Sequence, residues 1–345
     1  MTEKNTKTAT TRPAFKRGYS DRAIAGVVTL LIACLTFPVM TAAQDSKAQP
    51  GTDGSVRASM RNVRYRFAEN VSVQINHLSG AFVPVGDRQM LVFDDKESFK
   101  IRIDSAEIAI SPHDLANLLN QFVFARPGSQ LSGLSVSTTE KGHLKVKGRL
   151  KDKGNIPFET EGPLVPMADG RLRLHAETVR ALKIPVKGLM DAFRIEIDNL
   201  IKSGKIPGVT AAENDLIFDL EQMLPAPHIE GKVTKVRVEP NTIVQTFIGD
   251  PKNSNDAKAM PKFPGNYMAL QGNKVQFGKL MMEDCDVVLL DMNPADPLDL
   301  FLDRFKEQLA AGYTKISTSF QVRAYNQDYD KLAPSKNAAS PATKK

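Results

Sequence analysis

The residue types that carry out chemistry are thinly spread in this sequence. Its five histidines, His77, His113, His143, His175 and His228, stand singly. None falls in a His-Glu-x-x-His helix or beside a cysteine at metal-binding spacing. No Gly-x-Ser-x-Gly elbow, phosphate loop or dinucleotide fingerprint is present. The densest acidic run is Glu283, Asp284, Asp286, Asp291, Asp296, Asp299 and Asp303. Carboxylates hold calcium when they alternate around a turn glycine, and these do not. The corner from Asp291 to Pro297 reads as turn and cap chemistry, with Asp299 and Asp303 on the polar side of a helix. Cys285 reads as a small buried hydrophobe. The expectation is a protein without catalytic residues, resident metal or cofactor.

The chemistry that remains is apolar, and it is borne by helices. From Ser111 to Phe124, Leu115, Leu118, Leu119, Phe122 and Val123 recur at spacings of three and four, one stripe of an amphipathic helix. Ser111 suits the N-cap, Pro112 the first turn, and Asp114 the positive end of the helix dipole. A second helix is expected from Pro185 to Ile201, with Val186, Leu189, Met190, Phe193, Ile197 and Leu200 on its stripe. A third is expected after Asp296 and Pro297, bearing Leu298, Phe301, Leu302, Phe305 and Leu309.

These helices need sheets to lie on. Val71, Val73 and Ile75 alternate with polar residues, as do Phe99, Ile101 and Ile103. The phase then slips by one before Ala106, Ile108 and Ile110, which places a bulge near Asp104 and Ser105. Leu144, Val146 and Leu150 face one way while Lys145, Lys147, Arg149 and Lys151 face the other. Leu172 and Leu174 against Arg171 and Arg173, and Val236 and Val238 against Lys235 and Arg237, repeat the pattern. Such basic faces keep a one-sided sheet soluble, with contact to an anionic membrane surface as the alternative. Val287 to Leu290 reads as a buried strand, and Ile316, Thr318, Phe320, Val322 and Ala324 as one continuous strand.

One stretch resembles a known family. The alternating strand before Ser111, Pro112, Asp114, Leu115, Leu118 and Leu119, the Leu144 to Gly148 strand, Ile156-Pro157-Phe158, the Asp169 to Leu172 turn and the Ile184 to Leu189 helix start are similar to bacterial TULIP-like (tubular lipid-binding) secreted proteins. The resemblance implies an α+β fold, a long curved and mainly antiparallel sheet wrapped around amphipathic helices with an apolar groove between them. It implies lipid held in that groove without catalysis. Leu115, Leu118, Leu119 and Phe122 of the first stripe, with Val186, Leu189, Met190, Phe193 and Ile197 of the second, would then line it.

The ends of the chain bound the rest. Six basic residues precede the uncharged run from Ala23 to Met40, and Thr41, Ala42 and Ala43 offer a cleavage site. Residues 1–43 are therefore expected to be an export signal, with a retained membrane span or a lipoprotein acylated at Cys34 as alternatives. This leader carries six basic and two acidic residues, so it supplies +4 of the formal +7. The remainder of the chain is nearly balanced, and no aromatic-basic motif accompanies it, which excludes nucleic acid as a partner. Residues 44–60 read as a spacer, 61–248 as the lipid-binding domain, 249–265 as a linker or loop, 266–330 as a strand-helix-strand segment packed on the main sheet, and 331–345 as a disordered tail. The function expected is an exported envelope protein that binds a lipid or other apolar ligand. The alternative is an envelope assembly protein with a filled core and a protein partner.

Overall fold

The computed structural model describes residues 53–126, 129–151, 155–181, 206–249 and 260–332. Three long strands form its frame. These are β1 (Val56–Ala68), β2 (Val71–Pro84) and, after the short β3 (Leu91–Val92), β4 (Phe99–Ile110). Next come β5 (Leu131–Thr138), β6 (Leu144–Leu150), β7 (Ile156–Gly162), β8 (Leu164–Pro166), β9 (Leu172–His175), β10 (Thr178–Ala181), β11 (Val209–Ala212) and β12 (Asp215–Phe218). The chain continues through β13 (Ile229–Glu230), β14 (Lys232–Glu239), β15 (Thr242–Ile248), β16 (Tyr267–Gln271), β17 (Val275–Phe277) and β18 (Leu280–Met282). It ends with β19 (Asp286–Asp291), β20 (Leu298–Phe301), β21 (Tyr313–Ile316) and β22 (Val322–Asn326). The helices are α1 (Pro112–Leu118), α2 (Leu220–Met223) and α3 (Phe305–Ala311).

The main sheet runs β14-β15-β4-β2-β1-β16-β19-β22-β21. Two of its strands divide an edge between two neighbours. β1 pairs with β16 from Arg57 to Arg61 and with β20 from Val63 to Arg66. The change falls at Asn62, whose φ of 51° breaks the alternation. Val56, Ala58 and Met60 are buried before it, and Val63 and Tyr65 after it. β4 behaves alike, pairing with β15 from Ser105 to Ile110 and with β13 at Ile101 and Arg102. On its other side the β2 register jumps from Ser79 opposite Ser105 to Gly80 opposite Ile103. Asp104 is therefore the extra residue of a bulge, as the phase slip in the sequence foretold.

The expected α+β architecture is not found. The described residues are 53% strand and 13% helix, with three short helices and several sheets, so no sheet wraps around amphipathic helices. The helix at Ser111 starts as expected, with the Ser111 side chain accepting the Asp114 N–H at 3.0 Å. It then loosens into a π turn from Leu119 to Val123. The Asn120 carboxamide reaches out there, donating to Ala116 O and Leu134 O and accepting the Leu134 N–H. This clamps the helix end to β5 across the sheet margin.

The third expected helix is also corrected. Leu298, Asp299, Leu300 and Phe301 are a strand, all four buried. Only Phe305–Ala311 is α-helical. Leu298, Leu300 and Leu302 satisfy a period of two as well as Leu298, Phe301 and Leu302 satisfy a helical one. The Gln308 side chain decides the matter, since it accepts the Phe301 N–H at 2.9 Å and donates to Asp299 O at 2.8 Å. The single strand expected from Ile316 to Ala324 is likewise a hairpin of β21 and β22, folded at Ser317 to Gln321. The expected second helix, Pro185 to Ile201, lies outside the described residues, as does the leader. Among the described residues no helix is long and apolar enough to cross a membrane.

Close backbone approach fixes one position sharply. A Cβ on Gly80 would stand 2.1 Å from Arg102 O, at the bulge. Backbone on both sides must move to admit it. Gly80→Ala is expected to lower stability by about 3 kcal/mol or more, read as a shifted urea midpoint.

Candidate functional site

The first expected ligand stripe ends in packed core. Leu118 is 1% exposed, Leu119 is also buried, and both belong to the continuous core with Val123 and Phe124. Leu115 and Phe122 are half-buried and pack against it. Val186, Leu189, Met190, Phe193 and Ile197 lie outside the described residues. An open depression of about 580 Å³ does occur beside β13. Its lining mixes charged and polar side chains, among them Lys100, Arg102, Glu221 and Lys232, with the apolar Ile103 and Ile229.

Among the described residues the histidines form no catalytic array. His175 Nδ1 meets Asp215 Oδ1 at 2.6 Å, and Asp215 is shared with Arg173 at 3.7 Å. His143 faces Glu177 at 3.5 Å. Cys285 is fully buried with its thiol turned to Leu270 O at 3.9 Å. Burial pushes that thiol up to about 12, helped by Asp286 and Asp284. It is the inert hydrophobe the sequence indicated.

The basic strand faces are largely neutralised from within. Lys145 meets Glu159 and Glu161 at 3.4 and 3.6 Å, and Lys147 meets Glu159 at 3.3 Å. Arg237 reaches Glu107 at 3.2 Å and Glu239 at 3.0 Å. The basic patch on the last hairpin lacks such partners among the described residues. On the β21–β22 hairpin, Lys315 and Arg323 oppose each other in register, and neither meets a carboxylate among the described residues. Lys315 lies over the stacked rings of Tyr313 and Tyr325. At the tip Phe320 is 82% exposed with φ 64°, and Ile316 is 69% exposed.

The acidic residues gather at the other end of that hairpin. Arg66, buried on β1, sends Nε and Nη2 to the two Asp299 oxygens at 2.7 and 3.0 Å. Its Nη2 also reaches Asp330 at 2.9 Å, and its guanidinium lies 5.1 Å from the Tyr329 ring centre. Burial alone would lower this guanidinium, but Asp299 and Asp330 outweigh it and hold it above its ordinary value. Nearby, oxygens of Asp291, Asp296 and Asp328 lie within 4.8 Å of one another. Asp291 is 7% exposed, and its Oδ1 accepts the Asn293 N–H at 2.5 Å. Burial, with Asp328 and Asp296 alongside, pushes its carboxyl up to about 7 against the N–H groups of Asn293 and Asp299. Lys331 pairs with Asp328.

The sequence marks Asp291 and Asp296 as turn residues, and the Asp291 to Asn293 contact is such a turn. Asp328 and Asn326 carry no signal. They join the group only because β22 pairs in parallel with β19, setting Asn326 opposite Asp291. No motif spacing encodes a strand pairing.

Two outcomes are expected. Asp299→Asn strands a buried guanidinium beside an exposed carboxylate alone and should cost about 3 to 5 kcal/mol, whereas Arg66→Met with Asp299→Leu should cost far less; urea denaturation compares them. Cys285 should resist iodoacetamide at pH 8 in the native protein and react once unfolded, as intact mass will record. No protein-family model, curated protein or solved structure matches the chain, so its function is argued from its own residues.

Proposed function

We propose that this chain is an exported, non-catalytic envelope protein that binds lipid as a surface, docking end-on to an anionic bilayer through the β21–β22 hairpin. The observation that carries this reading is Phe320. A bulky residue in the left-handed region is a genuine outlier, and strain of that kind, on the order of 1 to 3 kcal/mol, persists where function uses it. Here the strained residue is 82% exposed at a hairpin tip. Its turn is firmly built, with Ser317 N–H bonded to Gln321 O at 2.9 Å and the Phe320 N–H to Ser317 O at 3.0 Å.

The charges point the same way. Like charges directly opposite on paired strands repel, and Lys315 and Arg323 stand so. An anionic surface relieves that repulsion and attracts each cation by about 1 kcal/mol. Burying Phe320 and Ile316 adds roughly 1.5 to 3 kcal/mol each. The gross gain of about 5 to 8 kcal/mol must still offset the cost of association. Docking is thus reversible. The basic leader and apolar run of residues 1–43 support export, and the packed surroundings of Leu118 and Leu119 favour surface contact over an enclosed ligand.

Sedimentation with phosphatidylcholine vesicles, with and without phosphatidylglycerol, tests this. Binding should require the anionic lipid and weaken with salt. Phe320→Gly should bind about ten- to a hundredfold more weakly and melt at a higher temperature, since glycine takes φ 64° without strain. Wild-type protein that ignores anionic vesicles, or Phe320→Gly that binds them equally well, overturns the reading. Salt-insensitive capture of a protein on the same hairpin would favour the assembly alternative instead.

A further inference from the structure

We propose that Asp291, Asp296 and Asp328, together with the Asn326 carboxamide oxygen, form a binding site for a divalent cation of the calcium class. Three carboxylate oxygens within 4.8 Å of one another are spaced as ligands of one ion, because calcium holds its oxygens at about 2.3 to 2.6 Å. Proximity of acids alone would not establish this. The independent observation is Asn326. Its side chain is 1% exposed, and neither Oδ1 nor Nδ2 has a hydrogen-bond partner.

A buried carboxamide without partners is costly to keep, so its retention calls for a ligand. It is aimed at the cluster. Asn326 and Asp291 are register partners on adjacent parallel strands, which places their side chains on the same face. Asp291 Oδ2 and Asp296 Oδ1 are also buried without a partner. Three oxygens from three residues thus await one donor of positive charge.

The charge balance agrees. Three carboxylates and the Lys331 ammonium on Asp328 leave two negative charges, which one divalent ion neutralises. The donor set is all oxygen, with no thiolate or imidazole, and so selects a hard cation. Calcium fits better than magnesium, which demands near-ideal octahedral geometry and keeps several waters. Asp296 is only half-buried, leaving a side open for exchange and a water ligand.

The site goes beyond membrane docking and is testable without vesicles. The full chain, freed of metal by chelation, is titrated calorimetrically with calcium chloride, with magnesium chloride and ionic-strength-matched sodium chloride as controls. One calcium per chain is expected, with an affinity in the range of extracellular modules, on the order of 10⁻⁴ to 10⁻³ M, and a higher melting temperature. Asn326→Ala and Asp291→Asn should each weaken binding at least about tenfold. Asp291→Asn should also melt higher than wild type in chelator, since it removes one of three crowded charges. Lys331→Ala, at a half-exposed side chain, should bind calcium more tightly because the competing ammonium is gone. No saturable binding by the wild type, a shift that sodium chloride reproduces, or affinity unchanged in both Asp291→Asn and Lys331→Ala overturns the proposal.

Discussion

A guanidinium cannot be left buried without a carboxylate, and Arg66 imposes that condition on three segments at once. It sits on β1, yet its partners come from β20 and from the turn after β22. Asp299 accepts two of its N–H groups and also the Tyr329 N–H at 3.2 Å. Together with the Gln308 contacts, this favours the strand conformation of Leu298–Phe301, because Asp299 points at Arg66 while Leu298 and Leu300 enter the core. Replacing a buried pair by apolar residues is often neutral for stability, whereas breaking it is not. The pair therefore acts mainly as a specification. It sets the register of β20 on β1 and brings residues 328–330 back to the sheet.

The same logic explains what the sequence reveals. Alternation of Phe99, Ile101 and Ile103 against Ala106 and Ile110 survives in the structure because both faces of β4 keep distinct environments, and the slip between them marks Asp104. The Ser111 cap is local, and so it is legible too. Leu298 to Leu302 is not, because Phe301 breaks the polar beat of a strand and Asp299, buried by a distant partner, looks in the sequence like a solvent-facing residue. The Ile316 to Ala324 run misleads because Phe320 and Ser319 sit in a turn while preserving alternation. Asp291 and Asn326 meet only through the parallel pairing of β19 and β22, and nothing in a linear pattern announces that.

Charge illustrates a related point. The basic rows at Lys145 and Lys147 look like a membrane-binding face when read alone. In the fold, Glu159 and Glu161 of β7 lie across from them, so the face is mixed and each exposed pair contributes little. The hairpin of β21 and β22 keeps its cations uncompensated by carboxylates among the described residues, beside exposed apolar side chains. A cation at Asp291 and Asn326 would brace the base of that hairpin, since Asn326 ends β22 and Asp291 ends β19.

The division of the β1 edge has a consequence for how the chain reaches its fold. Arg57 and Gln271 are bonded across 214 residues, and Arg66 reaches Asp299 across 233. β1 and β2 can form a hairpin as soon as they are synthesised. The other edge of β1 stays open until nearly the whole chain exists. Contacts of such sequence separation make folding slow, and an uncovered strand edge is a template for unwanted pairing. The early part of this protein must wait for its last third, and a holdase that shields the nascent β1 edge would raise its folding yield more than one acting on the completed chain.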